Sequence, residues 1–392
     1  MLDLNQIRHD TPSLDERIFL NSAGSSLMPK PVLDTMLEYL NDEARFGGYE
    51  VMGRHSHLLE LFYTEAANLI NAESDSIAFT TSATDAFARA LSSLTYSSED
   101  NILITTVDYV SNYLFIVALK ERYGVGVHII ENESNGLLDL NDLEKKLDQL
   151  NPKIVSITHM PTNSGLIQNV IRIGEIISKY PETIYILDAC QSLGQVEVDV
   201  EKIKCDFLTT SGRKFMRGPR GSGFLYVSNK MIEKGLHPLS SDAFGSDWTS
   251  PLTYAPKTSA SRYEYFEKSY AGLVGLGQAC SYINKVGIRN IEDRGKILSS
   301  RLRSNLKGIK GITLYDHGDQ LSNIITFTKS NLGKEESLSY LQNNKIVCGA
   351  SERFSALIDF DLKGISWALR LSPHYFNTEK EIDKVSELIE MM

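Results

Sequence analysis

The chain has 392 residues, 42% of them hydrophobic and 23% charged, and carries a net charge of −10. That length exceeds one ordinary core and suits two unequal domains of a globular protein. The acidic balance argues against nucleic acid or an anionic membrane as the main partner, and no apolar stretch reaches membrane-spanning length.

In chain order, residues 1–20 read as an N-terminal arm, with a polar start (Met1 to Asp10) that lacks the apolar core of a signal peptide. The run Ile77-Ala-Phe-Thr-Thr81 predicts a strand, with a helix starting at Ser82. Ile102 to Thr105 predicts a second strand, followed by a helix from Tyr113 to Arg122. Leu140, Leu143, Leu147 and Leu150 share one helical face. Ile154 to Thr158 predicts a strand and Ile171 to Tyr180 a helix. Three further strands end at Asp188, near Thr209 and at Val227. Short apolar strands alternating with helices imply an α/β fold with a mostly parallel sheet covered on both faces. Ligands then sit at the carboxyl ends of the strands. Residues 239–261 are rich in Ser, Thr, Pro and Asp and read as a long loop. A helix from Tyr270 to Tyr282, with Gly272, Gly275 and Gly277, permits close packing. Residues 21–282 form the expected large domain and 283–392 a smaller α+β domain, with Ile324 to Phe327 as one of its strands.

Asp188 ends one strand, and Lys214 follows a later one. An acid and a lysine so placed suit pyridoxal 5'-phosphate: the lysine forms the Schiff base, and the acid keeps the ring nitrogen protonated. The bland readings are a turn-capping acid and a surface lysine. Against the second, Lys214 follows an apolar run, lies between Gly212 and Gly218, and has Arg213 and Arg217 beside it. Neighbouring cations favour a neutral, nucleophilic amine. Gln191, three residues past Asp188, is placed for the ring's phenolic oxygen. Ser82 and Asp85 read as a capping box, leaving the amides of Ala83 and Thr84 for a phosphate; plain helix capping is the alternative. Cys190, Cys205, Cys280 and Cys348 lack paired spacing, which fits a reduced cytoplasm and suggests no disulfide framework and no metal site. His55 and His57, two apart, read as helix-start residues rather than ligands.

Several motifs together resemble fold-type I pyridoxal phosphate enzymes of the class V aminotransferase and cysteine desulfurase superfamily. They are Leu20-Asn-Ser-Ala-Gly24, Thr81-Ser-Ala-Thr84, Asp108-Tyr-Val-Ser-Asn112 and Asp188-Ala-Cys-Gln191. Ser211-Gly-Arg-Lys214 before Gly218-Pro-Arg-Gly221, and Arg370-Leu-Ser-Pro-His374, complete the set. The resemblance implies that Tyr109 stacks on the cofactor ring and that Asn163 lies near substrate and phenolic oxygen. It implies phosphate contacts from Ser211 and Arg213, and a carboxylate clamp from Arg370. It places Asn21, Ala23 and Gly24 at the substrate entrance, His374 behind the site, and the enzyme in a homodimer. Arg262, in Arg262-Tyr-Glu-Tyr-Phe-Glu-Lys268, is similar to the isopenicillin N epimerase-like and ergothioneine sulfoxide C–S lyase branch. Two readings stand for Arg262, substrate contact and a salt-bridged surface residue. Cys348 precedes the place where cysteine desulfurases carry their nucleophilic thiol, which reads as a structural cysteine.

The resemblance implies an enzyme acting on an amino acid, favouring β-elimination by a C–S lyase on a cysteine-derived substrate. Aminotransferase, epimerase and cysteine desulfurase chemistry remain alternatives. A non-enzymatic scaffold is the remote one, because a scaffold needs none of Lys214, Asp188, Gln191 and Arg370.

Overall fold

The computed structural model describes residues 2–392. Among these, a seven-stranded sheet runs in the order Ile77–Thr80, Gly223–Val227, Phe207–Ser211, Ile184–Asp188, Ile154–Thr158, Asn101–Ile104 and Gly126–Ile129. Gly223–Val227 is antiparallel to both its neighbours, and the other pairs are parallel. The inner strands Ile154–Thr158, Ile184–Asp188 and Phe207–Ser211 are buried at every position, as a sheet covered on both faces requires. Alternation sorts their side chains: Tyr185 and Leu187 enter one apolar cluster, Ile184 and Ile186 the other. At the carboxyl ends, Thr158 pairs with Asp188 and Asp188 with Thr209. Polar side chains therefore gather where the apolar runs stop.

Three helices pack closely beside this sheet. Helix Tyr270–Val286 runs four residues past its expected end and stops at Gly287, whose φ of 88° suits glycine. A Cβ on Gly277 would lie 2.8 Å from the Phe62 Cα of helix Ser56–Ile70. A Cβ on Gly275 would lie 2.6 Å from Met36 of helix Lys30–Phe46. Helix Val170–Ile177 is shorter than the sequence suggests. Its C-cap, Ser178, and the turn through Tyr180 take over the carbonyls of the last helical turn.

The stretch expected as a loop over 239–261 instead contains a hairpin, Ser246–Ser250 against Thr253–Pro256, and a 3-10 turn over Ala260–Tyr263. The polar composition concealed Trp248, Thr249, Thr253 and Tyr254, all residue types that favour strands.

The C-terminal part builds a four-stranded antiparallel sheet in the order Ile312–Leu314, Ile325–Lys329, Trp367–Leu371 and Gly349–Glu352. Its core includes Leu298, Leu302, Phe327, Leu369 and Ile382. The expected arm is not separate from it. Ile18–Phe19 pairs in parallel with Ile346–Val347, Leu20 joins that core, and Asn21 bridges to Ser372. Among the described residues, no helix is long and apolar enough to cross a membrane.

Candidate active site

The strand ends open onto a cavity of about 460 Å³ lined by residues of both sheets. Lys214 reaches it from a turn that follows Phe207–Ser211. Gly212 N–H donates to Ser222 O (2.9 Å) and Gly218 N–H to Gly212 O (2.8 Å), which closes the turn. A Cβ on Gly212 would lie 2.6 Å from Leu276 Cδ1 and 2.7 Å from Ser222 Oγ, so a larger residue there requires both side chains to move. Lys214 is 8% exposed, and its Nζ lies 5.9 Å from the centre of the Tyr109 ring. Arg217 does not flank that amine as expected. It is fully buried, donating to Leu27 O, Tyr375 Oη and Thr11 Oγ1.

Asp188 is buried and accepts from Asn112 Nδ2 and from the Cys190 N–H, each at 2.9 Å. Burial holds its carboxyl above the ordinary range. The Lys214 charge and these two hydrogen bonds oppose that shift. Such an acid is suited to a cation docking against it.

Ser82 caps helix Ala83–Ser92 by accepting from Asp85 N–H at 3.2 Å. The reciprocal half of the expected box is displaced by one residue, because Asp85 accepts from Thr81 N–H (2.9 Å) and pairs with Arg89. The Ala83 amide is not free either: it donates to Ser211 Oγ at 2.9 Å. Ser82, Ala83, Thr84, Ser211 and Arg213 nonetheless all line the cavity.

Gln191 Nε2 donates to Ala23 O (3.1 Å) and Thr162 Oγ1 (3.0 Å), while its Oε1 is buried without a partner. Arg370 Nη1 donates to the same Thr162 hydroxyl at 2.6 Å and to Thr162 O at 3.1 Å. Its Nη2 lies 3.5 Å from Asn21 Oδ1, and its Nε is buried and unpartnered. Burial pushes the guanidinium down to about 10, with Tyr109 opposing and Arg213 adding to the shift. Ala23, Gly24 and Tyr109 face the cavity, whereas Asn21 stands behind its wall against Arg370.

Two expected residues lie elsewhere. Asn163 is 2% exposed, does not line the cavity and donates to Asp359; its neighbour Thr162 is the one that faces inward. Arg262 is 5% exposed and donates to the carbonyls of Lys257 (2.7 Å), Leu236 (3.0 Å) and Ile232 (3.2 Å). It neither lines the cavity nor forms a salt bridge, and it holds the base of the hairpin. Of the histidines, His55 meets Asp42 at 2.8 Å just before helix Ser56–Ile70. His374 is fully buried with Nε2 2.8 Å from Phe215 O, next in sequence to Lys214.

Sequence reasoning gave Thr162 no role, and none to Asp108 and Asn112 beyond bounding a motif. Asp108 is buried and accepts from Thr105 N–H (3.0 Å), Thr105 Oγ1 (2.9 Å) and Thr158 Oγ1 (2.7 Å). This pins the turn that presents Tyr109. Burial pushes its carboxyl up to about 6, and nearby Asp188 adds to the shift. Its place beside a strand end was the available signal.

A family model described as aminotransferase class-V matches residues 18–385. The chain belongs to the class V aminotransferase family. A probable cysteine desulfurase of Methanothermobacter thermautotrophicus is 30% identical over 98% of this chain and 96% of its own length. The solved apo structure of a cysteine desulfurase from Thermococcus onnurineus superposes with a TM-score of 0.91 at 25% identity, covering 100% of this chain and 98% of that one. A cystine C–S lyase solved with cysteine persulfide shares the fold, with a TM-score of 0.85 at 17% identity over 97% and 99% of the two chains. Membership of the class V aminotransferase family makes this protein an enzyme, with the α/β fold of those structures.

Proposed function

We propose that this class V enzyme holds pyridoxal phosphate and breaks the Cβ–S bond of a cysteine-derived amino acid, the sulfur leaving with its own substituent. The observation that carries this reading is the wall beside Arg370. Ala350, Ser351, Glu352, Phe354 and Ser355 face the cavity there, without a thiol. Cys348 packs against the small-sheet core, and burial pushes its thiol up to about 12, so it is not a thiolate at neutral pH. Cys190 lines the cavity from the turn after Asp188, and its N–H donates to that carboxylate.

The residues present fit the cofactor. Asp188 is a buried acid suited to a cationic ring nitrogen, and Gln191 Oε1 and Arg370 Nε are buried polar atoms without partners. Ser82, Thr84, Ser211 and Arg213 would supply the phosphate end, at a helix N-terminus whose Ala83 amide is already given to Ser211. Bound there, pyridoxal phosphate supplies an electron sink for the charge that develops at the substrate Cα. Arg370 clamps the α-carboxylate. Lys214 Nζ would hold the cofactor and would serve as the base for the Cα proton. The Cβ–S bonding pair departs on sulfur, and water converts the enamine left behind into a keto acid and ammonia. Exposed Leu114, Leu239, Trp248, Leu252 and Tyr254 support a homodimer, because apolar surface of this kind marks association.

Desulfuration is the second reading, favoured by relatives 30% identical to this chain that are described as probable cysteine desulfurases. It requires a thiol of the enzyme's own to accept the sulfur. The test incubates the cofactor-loaded enzyme with cysteine, cystine and cysteine sulfoxides. Borohydride reduction and peptide mapping then locate the cofactor adduct. The expected result is an adduct on Lys214, keto acid and ammonia in equal amounts, and most activity kept by Cys348→Ala and Cys190→Ala. A persulfide trapped on either cysteine, with sulfide release lost in its variant, overturns the lyase reading and leaves the cofactor assignment standing.

A further inference from the structure

A second cavity, of about 480 Å³, lies outside the active site. It is as large as the active cavity and within the range of small-molecule sites. His159, residues 167–171 at the start of helix Val170–Ile177, the stretch from Val196 to Ile203, Glu292 and residues 319–320 enclose it. Its walls include the apolar Leu137, Ile167, Val170 and Ile171.

Two of its lining side chains are built for a ligand. Gln168 is 2% exposed; its Oε1 accepts from Leu138 N–H at 3.0 Å, which fixes the amide, and its Nε2 is left buried without a partner. His159 is 5% exposed, neutral because burial pushes it down to about 4, and its Nδ1 has no partner either. Unpaired buried nitrogens are costly unless something completes them. The rim is acidic. Glu197 meets Lys202 at 3.1 Å and Glu292 meets Lys296 at 2.6 Å, but Asp319 accepts only the Asn135 amide, at 3.2 Å. Among the described residues, no cation pairs with Asp319.

We propose that this cavity is a second small-molecule site, for an amphiphilic amine that also carries a carbonyl. The carbonyl oxygen accepts from Gln168 Nε2, the apolar stem lies on Ile167 and Ile171, and the ammonium meets Asp319. A single molecule thereby satisfies the orphaned donor, the apolar wall and the unpaired carboxylate. The site concerns none of the groups assigned to catalysis and stands apart from the lyase reading.

The probe is N-acetyl-1,4-diaminobutane, titrated calorimetrically into the cofactor-loaded enzyme. Saturable binding in the millimolar range is expected, with about threefold weakening in Asp319→Asn, the scale of an exposed ion pair. Gln168→Glu keeps the acceptor for Leu138 but loses the donor, and it should abolish binding. Because that variant risks disturbing its segment, Ile171→Trp, which fills the cavity from a helix face 42% exposed in the case of Ile171, provides a second test and should also abolish binding. Two results overturn the proposal. One is absence of saturable binding at about 10 mM probe, which assigns the two nitrogens to water. The other is binding that survives both Asp319→Asn and Ile171→Trp, which places the probe elsewhere.

Discussion

Thr162 offers one hydroxyl to two residues with different tasks. Arg370 Nη1 and Gln191 Nε2 both donate to its Oγ1, so one side chain aligns the proposed carboxylate clamp with the residue proposed for the cofactor ring. Thr162→Val leaves both donors short of an acceptor. A lost hydrogen bond to a charged group weakens binding about tenfold or more. The expected outcome is a KM for the amino acid raised by about that factor, cofactor absorption little changed, and rescue by Thr162→Ser. Unchanged KM in the valine variant would show that Arg370 is held by its other contacts. Asp188 and Lys214 were legible from sequence because each follows an apolar run that can only be a buried strand. Thr162 was not. It sits beside Asn163 in a polar turn, and sequence alone does not say which of two adjacent polar residues points inward. Arg262 was obscured differently, because its partners are three backbone carbonyls that leave no mark in a sequence.

At the scale of elements, the buried strands and the small-residue helix were readable because burial on both faces demands unbroken apolar runs and close packing demands glycine. The hairpin was not readable, because its residues are mostly exposed and lack the alternation that burial of one face imposes. The helix contact gives a paired prediction. Gly277→Ala places a methyl group 2.8 Å from Phe62 Cα, a backbone atom that cannot rotate away. It should cost about 1–3 kcal/mol in denaturant unfolding, as overpacking does. Gly53→Ala, in helix Gly48–Arg54 with nothing within 4 Å, should stabilise by up to about 1 kcal/mol through helix propensity. Equal effects of the two substitutions would show that propensity, not the contact between helices, governs position 277.

At the scale of the whole molecule, the exposed apolar residues near the hairpin flank an apolar cavity of about 980 Å³, which shares Thr84 and Ser111 with the active cavity. Light scattering should return a dimer mass, and Leu252→Glu with Trp248→Glu should shift it toward monomer. A wild-type monomer with full activity would refute the dimer. Stability should also depend on pH through His374. Burial, reinforced by the Arg217 charge, holds this imidazole well below its ordinary 6.5. The unfolded chain therefore takes up a proton that the folded protein refuses. The His374 contribution is fully present above pH 6.5 and is lost as pH falls, by up to about 1.4 kcal/mol per pH unit. His374→Gln should remove that component, seen as a shallower acid limb relative to the parent. An unchanged limb would mean that other groups set it. The pairing of Ile18–Phe19 with Ile346–Val347 bears on how the protein is made. Residue 18 leaves the ribosome long before its partner strand exists. At typical synthesis rates the delay across those 328 residues (18 to 346) is roughly 15 to 65 s. Through that interval Leu20 has no complete core to enter, and the strand that carries Arg370 has not yet been made. A nascent chain stalled before residue 346 holds every strand of its large sheet, yet lacks Arg370 and leaves Ile18–Phe19 an unpaired edge.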